Sequence, residues 1–290
     1  MLNFTQPRLR FAPSPNGYLH LGHAYSALVN AHFSQKLDGK LLLRIEDIDR
    51  LRCTEAYEKA IIEDLQWLEV SFKTPFRKQS EHFSIYQNAL EKLISLGLVY
   101  PTRMSRGEVK AIIAANGDNW PVDPDGTPLY PTNERYLQLF LDAQDKNDQF
   151  AWRLNMDLAM KNYGQDLYWL EIVNNTTKTI EAHPELWGDV MIARKDIHTS
   201  YHLSVVVDDA LQDITHVVRG KDLFEATSIH CLLQKILGYP TPIYHHHDLI
   251  CNSDGNKLSK SNHDTSLRSL REKGFTIEDI RNILPKYNIY

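Results

Sequence analysis

The stretch Arg10-Phe11-Ala12-Pro13-Ser14-Pro15-Asn16-Gly17-Tyr18-Leu19-His20-Leu21-Gly22-His23 decides how the chain is read. Arg8–Ala12 has the composition of a short strand. Two prolines and an Asn-Gly pair then break regular structure and make a turn. From His20 to Lys36 the apolar residues Leu21, Ala24, Leu28 and Ala31 recur at helical spacing. Strand, turn and helix in that order present the free N–H groups and dipole of a helix N-terminus, which favour an anion. His20 and His23, three apart, face one side of the first turn. Gly22 lets a flat base or a phosphate approach the backbone. Taken alone, the pattern fits a surface helix with two ordinary histidines equally well. A metal pair is a third reading, without a third ligand at convincing spacing.

Outward from there, strand and helix signals alternate. Leu41–Ile45 reads as a buried strand. Thr54–Leu68 reads as a helix with Thr54 as N-cap and Ile61, Leu65 and Leu68 on one face. Phe83–Leu96 reads as another, ended by Gly97. This alternation predicts a parallel sheet with crossover connections. Between Asn116 and Asn133, four prolines and two glycines mark a long irregular segment, expected as an insertion. The pattern resumes near Tyr201. Leu203–Val207 and Thr215–Val218 are expected as buried strands, and Phe224–Leu237 as a helix closed by Gly238. The tail, Asp264–Pro285, reads as short helices, with Thr276 and Asp279 resembling a capping box.

Composition sets the outer bounds. The 290 residues are 42% hydrophobic and 24% charged, ordinary globular usage. No run approaches the ~18–20 apolar residues of a membrane helix, and the first residues lack the pattern of a signal peptide. Three scattered cysteines, Cys53, Cys231 and Cys251, fit a reducing cytoplasm without a disulfide framework. A net charge of −5 excludes a strongly basic coat, so any nucleic-acid contact must be local.

A second stretch, Gly255-Asn256-Lys257-Leu258-Ser259-Lys260-Ser261, places two lysines three apart among serines after a turn signal. Such cationic, hydroxyl-rich groups suit a polyphosphate and the charge that develops on it. By itself such a loop is more often solvated surface. The pair is more specific. His20-Leu21-Gly22-His23 and Lys257-Leu258-Ser259-Lys260-Ser261 together resemble the HIGH and KMSKS signatures of class I aminoacyl-tRNA synthetases. Arg10–Gly17, Leu43-Arg44-Ile45-Glu46-Asp47-Ile48-Asp49, Val205-Val206-Val207-Asp208-Asp209 and Val217-Val218-Arg219-Gly220-Lys221-Asp222 resemble the glutamyl subgroup. The likeness is strong over about residues 8–52 and 198–263 and thin between them.

Within that subgroup the sequence is similar to the glutamyl-Q tRNA(Asp) synthetases. The lysine loop continues as Ser261-Asn262-His263, like that subfamily's extension. Only about 30 residues follow it, too few for the further helical domain of a conventional glutamyl-tRNA synthetase. The resemblance implies an α/β fold: a Rossmann-like doubly wound parallel sheet, an irregular inserted subdomain and a short C-terminal helical segment. Expected divisions are 1–99 and 196–250 for the two halves of the catalytic core, 100–195 for an acceptor-type insertion, and 251–290 for the KMSKS-like loop and terminal helices. Nucleotide is expected at the carboxyl ends of the central strands, where strand order reverses.

It also implies site roles. His20, His23 and Lys260 would be catalytic, and ATP would be bound by Gly22, His20, His23, Lys257, Ser259 and Lys260. Arg10, Ala12, Ser14, Glu46, Tyr201 and Arg219 would hold L-glutamate, with Glu46 on its ammonium. The chemistry agrees, since a dicarboxylic amino acid needs a guanidinium fork and an acid. Other readings of the same residues stay open. Glu46-Asp47-Ile48-Asp49 could be a helix-capping cluster or a Mg²⁺ site, and Arg219 could pair with Asp222. ATP and Mg²⁺ are the expected cofactors, tRNA(Asp) carrying queuosine the expected partner, and a monomer in the cytoplasm, with no membrane, the expected form. A truncated paralogue charging tRNA(Glu), an inactive RNA-binding module and a small-molecule adenylyltransferase are the alternatives.

Many glutamyl-Q enzymes carry a zinc site of three cysteines and a tyrosine in the insertion. Here the cysteine positions fall on Thr102, Met104 and Glu134, and only Tyr130 remains. Without a thiolate, structural zinc is not expected, and Trp120 or Leu129 is expected to hold the insertion by packing. His245-His246-His247 cannot converge on one metal, because neighbouring strand residues alternate faces; His246 is expected near the nucleotide. Trp152, Trp169 and Trp187 are expected in or beneath the core, and Cys231 as a core residue. Arg103, Arg106 and Lys110 suit a phosphate patch or a solvated face equally.

Overall fold

A computed structural model describes residues 6–117, 119–132, 150–174, 176–251 and 266–285. The first half alternates as expected: β1 (Arg8–Phe11), α1 (Leu21–Lys36), β2 (Lys40–Ile45), α2 (Glu55–Trp67), β3 (Arg77–Lys78) and α3 (Phe83–Ser95). Then come β4 (Val99–Thr102), α4 (Arg106–Ala115), β5 (Ala151–Leu154), α5 (Met156–Tyr163), β6 (Tyr168–Val173), β7 (Thr176–Glu181) and β8 (Met191–Ala193). The chain continues with α6 (Tyr201–Leu211), β9 (His216–Gly220), α7 (Thr227–Leu237), β10 (Ile243–His247), α8 (Leu267–Glu272) and α9 (Ile277–Ile283).

Strands β1, β2 and β3 form one parallel sheet, and β9, β10 and β6 run parallel in a second, with β7 antiparallel at its edge. The two abut at β1 and β9. Thr215 N–H donates to the Arg8 carbonyl at 3.0 Å, and Arg8 N–H donates to Thr215 Oγ1 at 2.9 Å. Strand order therefore reverses between β1 and β9, the place where open α/β sheets bind ligands. Both faces are covered. Val218 belongs to the core formed with α1, and its neighbour Val217 to the core formed with α6 and α7, because successive strand residues point to opposite faces.

Within 100–195, β4, β5 and β8 form a small antiparallel sheet. Strands β6 and β7 from the same stretch extend the main sheet beside β10. Trp120 Nε1–H donates to the Leu129 carbonyl at 2.8 Å, and Leu129 packs over Gly188. The expected strand Leu203–Val207 is instead the centre of helix α6, whose residues 203–209 are all buried. A fully buried helix is apolar all round, so its run of valines lacks the periodicity that separates helix from strand. Its start is capped by the Ser200 hydroxyl, which accepts the Leu203 N–H. Thr54 caps α2, Gly97 and Gly238 follow α3 and α7 with positive φ, and the Thr276–Asp279 capping box is present. No helix among the described residues is long and apolar enough to cross a membrane.

Candidate active site

A cavity of about 1020 Å³ opens at the reversal point. Its walls come from the segments that follow β1 and β9, from the first turn of α1, and from Glu46 just past β2. Arg10, Ala12, Ser14, His20, Gly22, His23, Glu46, Tyr201 and Arg219 all line it. The structure thus brings together every candidate site residue except Lys257, Ser259 and Lys260, which lie outside the described residues. On either side of them, Leu249 and Ile250 line the cavity, and Ser266 bridges to His20. Leu267 N–H also donates to the Leu19 carbonyl at 2.7 Å.

The two histidines form the cap of α1. His20 is the N-cap, and its Nδ1 accepts the Gly22 N–H at 3.1 Å. His23 Nδ1 accepts the His20 N–H at 3.2 Å. With both Nδ1 atoms accepting backbone N–H groups, a neutral ring carries its proton on Nε2. The imidazoles are in contact, tilted 53° to each other with centroids 3.9 Å apart. Gly22 has a packing reason to be glycine: a Cβ there would stand 3.0 Å from His20 Cε1 and 3.1 Å from its Nδ1.

Behind Arg10 lies a buried charge network. Asp209, on α6, accepts Arg10 Nε–H at 3.0 Å and Arg44 Nη1–H at 2.7 Å. Burial would raise its pKa, but Arg10 and Arg44 hold the carboxyl below its ordinary range. Arg44, wholly buried, also donates to Glu46 Oε1 from Nε and Nη2 at 3.3 and 3.1 Å. Burial raises the Glu46 pKa above the usual carboxylate range, with Arg44 and Arg10 opposing. A substrate ammonium beside it would oppose the shift further. Asp208, also buried, binds Arg77, Gln79 and Tyr86, so α6 is fixed to β3 and α3 as well.

Arg219, 6% exposed, stands on the other wall. Its guanidinium donates to His246 Nε2 at 3.1 Å, His230 Nδ1 at 3.2 Å, the Leu223 carbonyl at 3.0 Å and Thr227 Oγ1 at 2.7 Å. These bonds do not include Asp222. Among the described residues, no carboxylate lies within ion-pair distance of it. His246 lies against Arg219. His245 bonds the Ile172 carbonyl and His247 the Asp248 carbonyl, so the three rings diverge as strand alternation requires. Among the described residues, no group of three or more His, Cys, Asp or Glu side chains is placed to hold a metal.

At the zinc-ligand positions, Thr102 and Tyr130 are buried and hydrogen-bonded to each other through their hydroxyls. The Arg153 guanidinium sits 3.6 Å from the centroid of the Tyr130 ring. Glu134 lies outside the described residues, and Met104 is half-buried. A hydroxyl pair, a thioether and a carboxylate are hard or weak donors, and this set does not fit a structural zinc ion. Trp169 and Trp187 are buried and Trp152 is half-buried. Cys231 is buried and its thiol is pushed up to about 12, so it is inert at neutral pH.

Sequence reasoning assigned no role to Asp209, Arg44, His230 or Glu171. Two of these carried a signal. Asp208-Asp209 interrupts an otherwise apolar run, and Glu171 sits amid Trp-Leu-Glu-Ile-Val; acids buried there need partners.

A helix N-terminus with paired histidines at the reversal point of an α/β sheet, in one cavity with a buried arginine, fits an enzyme of the class I synthetase type. The model of "tRNA synthetases class I (E and Q), catalytic domain" matches residues 6–288, and the chain belongs to that family. It is 42% identical over 279 residues to the glutamyl-Q tRNA(Asp) synthetase of Rhodobacter capsulatus, covering 95% of this chain and 98% of that one. It is 34% identical to glutamate–tRNA ligase 2 of Syntrophus aciditrophicus, spanning 98% of this chain but only 57% of the ligase. The crystal structure of a glutamate tRNA ligase from Elizabethkingia meningosepticum, in complex with its amino acid, superposes with TM-score 0.67 at 26% identity, covering 93% of this chain and 54% of that one.

Proposed function

We propose that the protein activates L-glutamate with ATP and passes the glutamyl group to the queuosine base of tRNA(Asp). The observation that carries the glutamate reading is Arg219: a buried cation without a carboxylate partner among the described residues, in the same cavity as Glu46 and the histidine pair. A side-chain carboxylate supplies the missing charge, and Glu46 accepts from the α-ammonium. Arg10, Ala12, Ser14 and Tyr201 line the remainder of the glutamate site.

In the first step an oxygen of the α-carboxylate attacks the α-phosphorus. The bond to the bridging oxygen of the β-phosphate breaks and pyrophosphate leaves. His20 and His23 donate to phosphate oxygens, and Gly22 leaves room for the nucleotide. Lys257, Ser259 and Lys260 complete the phosphate site in this reading, with Lys260 following the departing pyrophosphate. Catalysis is alignment and charge stabilisation, without a covalent enzyme intermediate. Mg²⁺ is expected to arrive on the nucleotide phosphates, as this ion usually does. In the second step a hydroxyl of the queuosine cyclopentenediol attacks the adenylate carbonyl, and AMP leaves.

The choice of acceptor rests on the likeness to the Rhodobacter capsulatus enzyme across nearly the whole of both chains. The likeness to glutamate–tRNA ligases favours a second reading, charging of tRNA(Glu). In the first reading residues 1–99 and 196–250 are the catalytic core, 100–195 an acceptor-type insertion and 251–290 the lysine loop with its helices, in a cytoplasmic monomer. Charging assays with tRNA(Asp) bearing queuosine, tRNA(Asp) bearing guanine, and tRNA(Glu) test the choice. Labelling of the first alone is expected, and labelling of tRNA(Glu) alone overturns it.

A further inference from the structure

We propose that His246 and Glu171 are positioning residues for Arg219: they hold its guanidinium through a neutral imidazole, keeping its charge for the carboxylate of the amino acid. This rests on the glutamate reading above. Glu171 and His246 have side chains only 4% and 1% exposed. Glu171 Oε1 accepts the His246 backbone N–H at 2.7 Å, and Oε2 faces His246 Nδ1 at 2.9 Å and accepts Trp169 Nε1–H at 3.1 Å. An ionised carboxylate has only acceptors, so the proton of this pair belongs to Nδ1 of His246. Its Nε2 is then a lone pair, and it accepts Arg219 Nε–H at 3.1 Å. Each link fixes the next: the acid sets the tautomer, and the tautomer sets the guanidinium.

His230 does the same on the other side. Arginine cannot accept, so His230 Nδ1, 3.2 Å from Arg219 Nη1, is the acceptor, and its proton on Nε2 points to His202 Nδ1 at 3.2 Å. The Leu223 carbonyl and Thr227 hydroxyl take the two Nη2 hydrogens. Of the guanidinium's five N–H groups, one on Nη1 is left among the described residues, and Arg219 lines the cavity. A carboxylate in place of either imidazole would hold the same geometry but neutralise the cation. Two imidazoles hold it and leave the charge. Burial, with Arg219 nearby, brings His246 down to about 4 despite Glu171, so the ring stays neutral at physiological pH.

Two measurements test this. In the unaltered protein, long-range ¹⁵N–¹H correlation of the histidine rings is expected to find the His246 proton on Nδ1. A proton on Nε2 would overturn the proposal without touching the glutamate reading. In glutamate-dependent ATP–pyrophosphate exchange, His246→Leu and Glu171→Leu are expected to raise the glutamate KM by about tenfold or more, the loss of a hydrogen bond to a charged group, and leave the ATP KM unchanged. His246→Gln, whose carbonyl can still accept, is expected to recover most of the loss. Equal rises in both KM values, or no rescue by glutamine, would reduce the pair to a structural role. Absence of glutamate-dependent exchange in the unaltered protein would refute the glutamate reading itself, and this proposal with it. If the leucine variants fail to fold, the tautomer measurement decides.

Discussion

Asp209 Oδ1 accepts the Nε–H of Arg10 at 3.0 Å, tying the first strand to helix α6 across 199 residues of sequence. The same oxygen takes Arg44 at 2.7 Å, so one carboxylate sets two guanidinia behind the cavity wall. Removing it strands Arg10 and, among the described residues, leaves Arg44 with the Glu46 carboxylate alone at hydrogen-bond distance. Asp209→Ala is expected to destabilise the fold by about 3–5 kcal/mol, the usual cost of breaking a buried ion pair. Urea unfolding measures it. An Asp209→Ala protein as stable as the parent would contradict the account.

Gly22→Ala separates activity from stability. Alanine favours the helix by about 0.5–1 kcal/mol over glycine, which offsets the loss of a cap whose ring must shift, so the melting temperature should change little. The new methyl stands 3.0 Å from the His20 ring and must displace it. The ATP KM is expected to rise and the exchange rate to fall by about tenfold, roughly 1.4 kcal/mol of transition-state stabilisation. Unchanged kinetics would mean that the His20 ring does not meet the nucleotide.

Much of this was legible in the sequence because local signals and the fold agree. The helix following His20, the cap at Thr54 and the stop at Gly97 all depend on short-range chemistry. Helix α6 was misread as a strand because burial on all sides erases periodicity, so Leu203–Val207 looks the same in either form. Strands β6 and β7 escaped notice for a different reason. Glu171 is polar but buried, and most of Thr176–Glu181 is exposed, so neither shows the apolar alternation of a strand. The cavity residues that carry motifs could be named. Those that act through partners, such as His230 and Glu171, become visible only once tertiary structure brings distant positions together.

Stability should change with pH in two opposing ways. Burial lowers His202 and His246 from about 6.5 to about 4. Between those values the unfolded chain takes up protons and the folded one does not, so stability is complete above about pH 6.5 and is lost on acidification, by about 3 kcal/mol per histidine. Asp64 runs the other way. Burial raises it from 3.8 to about 6, its carboxylate oxygens lack a hydrogen-bond partner, and Arg271 stands 3.6 Å away. Its contribution is complete below about pH 4 and is lost as pH rises through 6. Asp64→Asn is therefore expected to raise the melting temperature at pH 7.5 and to change it little at pH 4.5. An equal effect at both would show that the carboxyl titrates normally.

The insertion should not depend on zinc. Thr102 and Tyr130 satisfy each other's hydroxyls where a metal site would need thiolates. Dialysis against EDTA is expected to leave the melting temperature unchanged, and elemental analysis to find far less than one zinc per chain. Thr102→Val, which removes one hydrogen bond of the buried phenol, should cost about 1 kcal/mol. Stoichiometric zinc whose removal unfolds the protein would contradict this.

The reaction proposed is glutamate activation in a cavity that binds the amino acid between Arg219 and Glu46. ATP–pyrophosphate exchange with purified protein, Mg²⁺ and L-glutamate, and with no tRNA added, tests it most directly. Exchange that requires glutamate and is not supported by glutamine or aspartate is expected. Exchange that appears only when tRNA(Glu) is supplied would favour the ordinary charging reaction. No exchange under any condition, with ATP still bound, would contradict the claim.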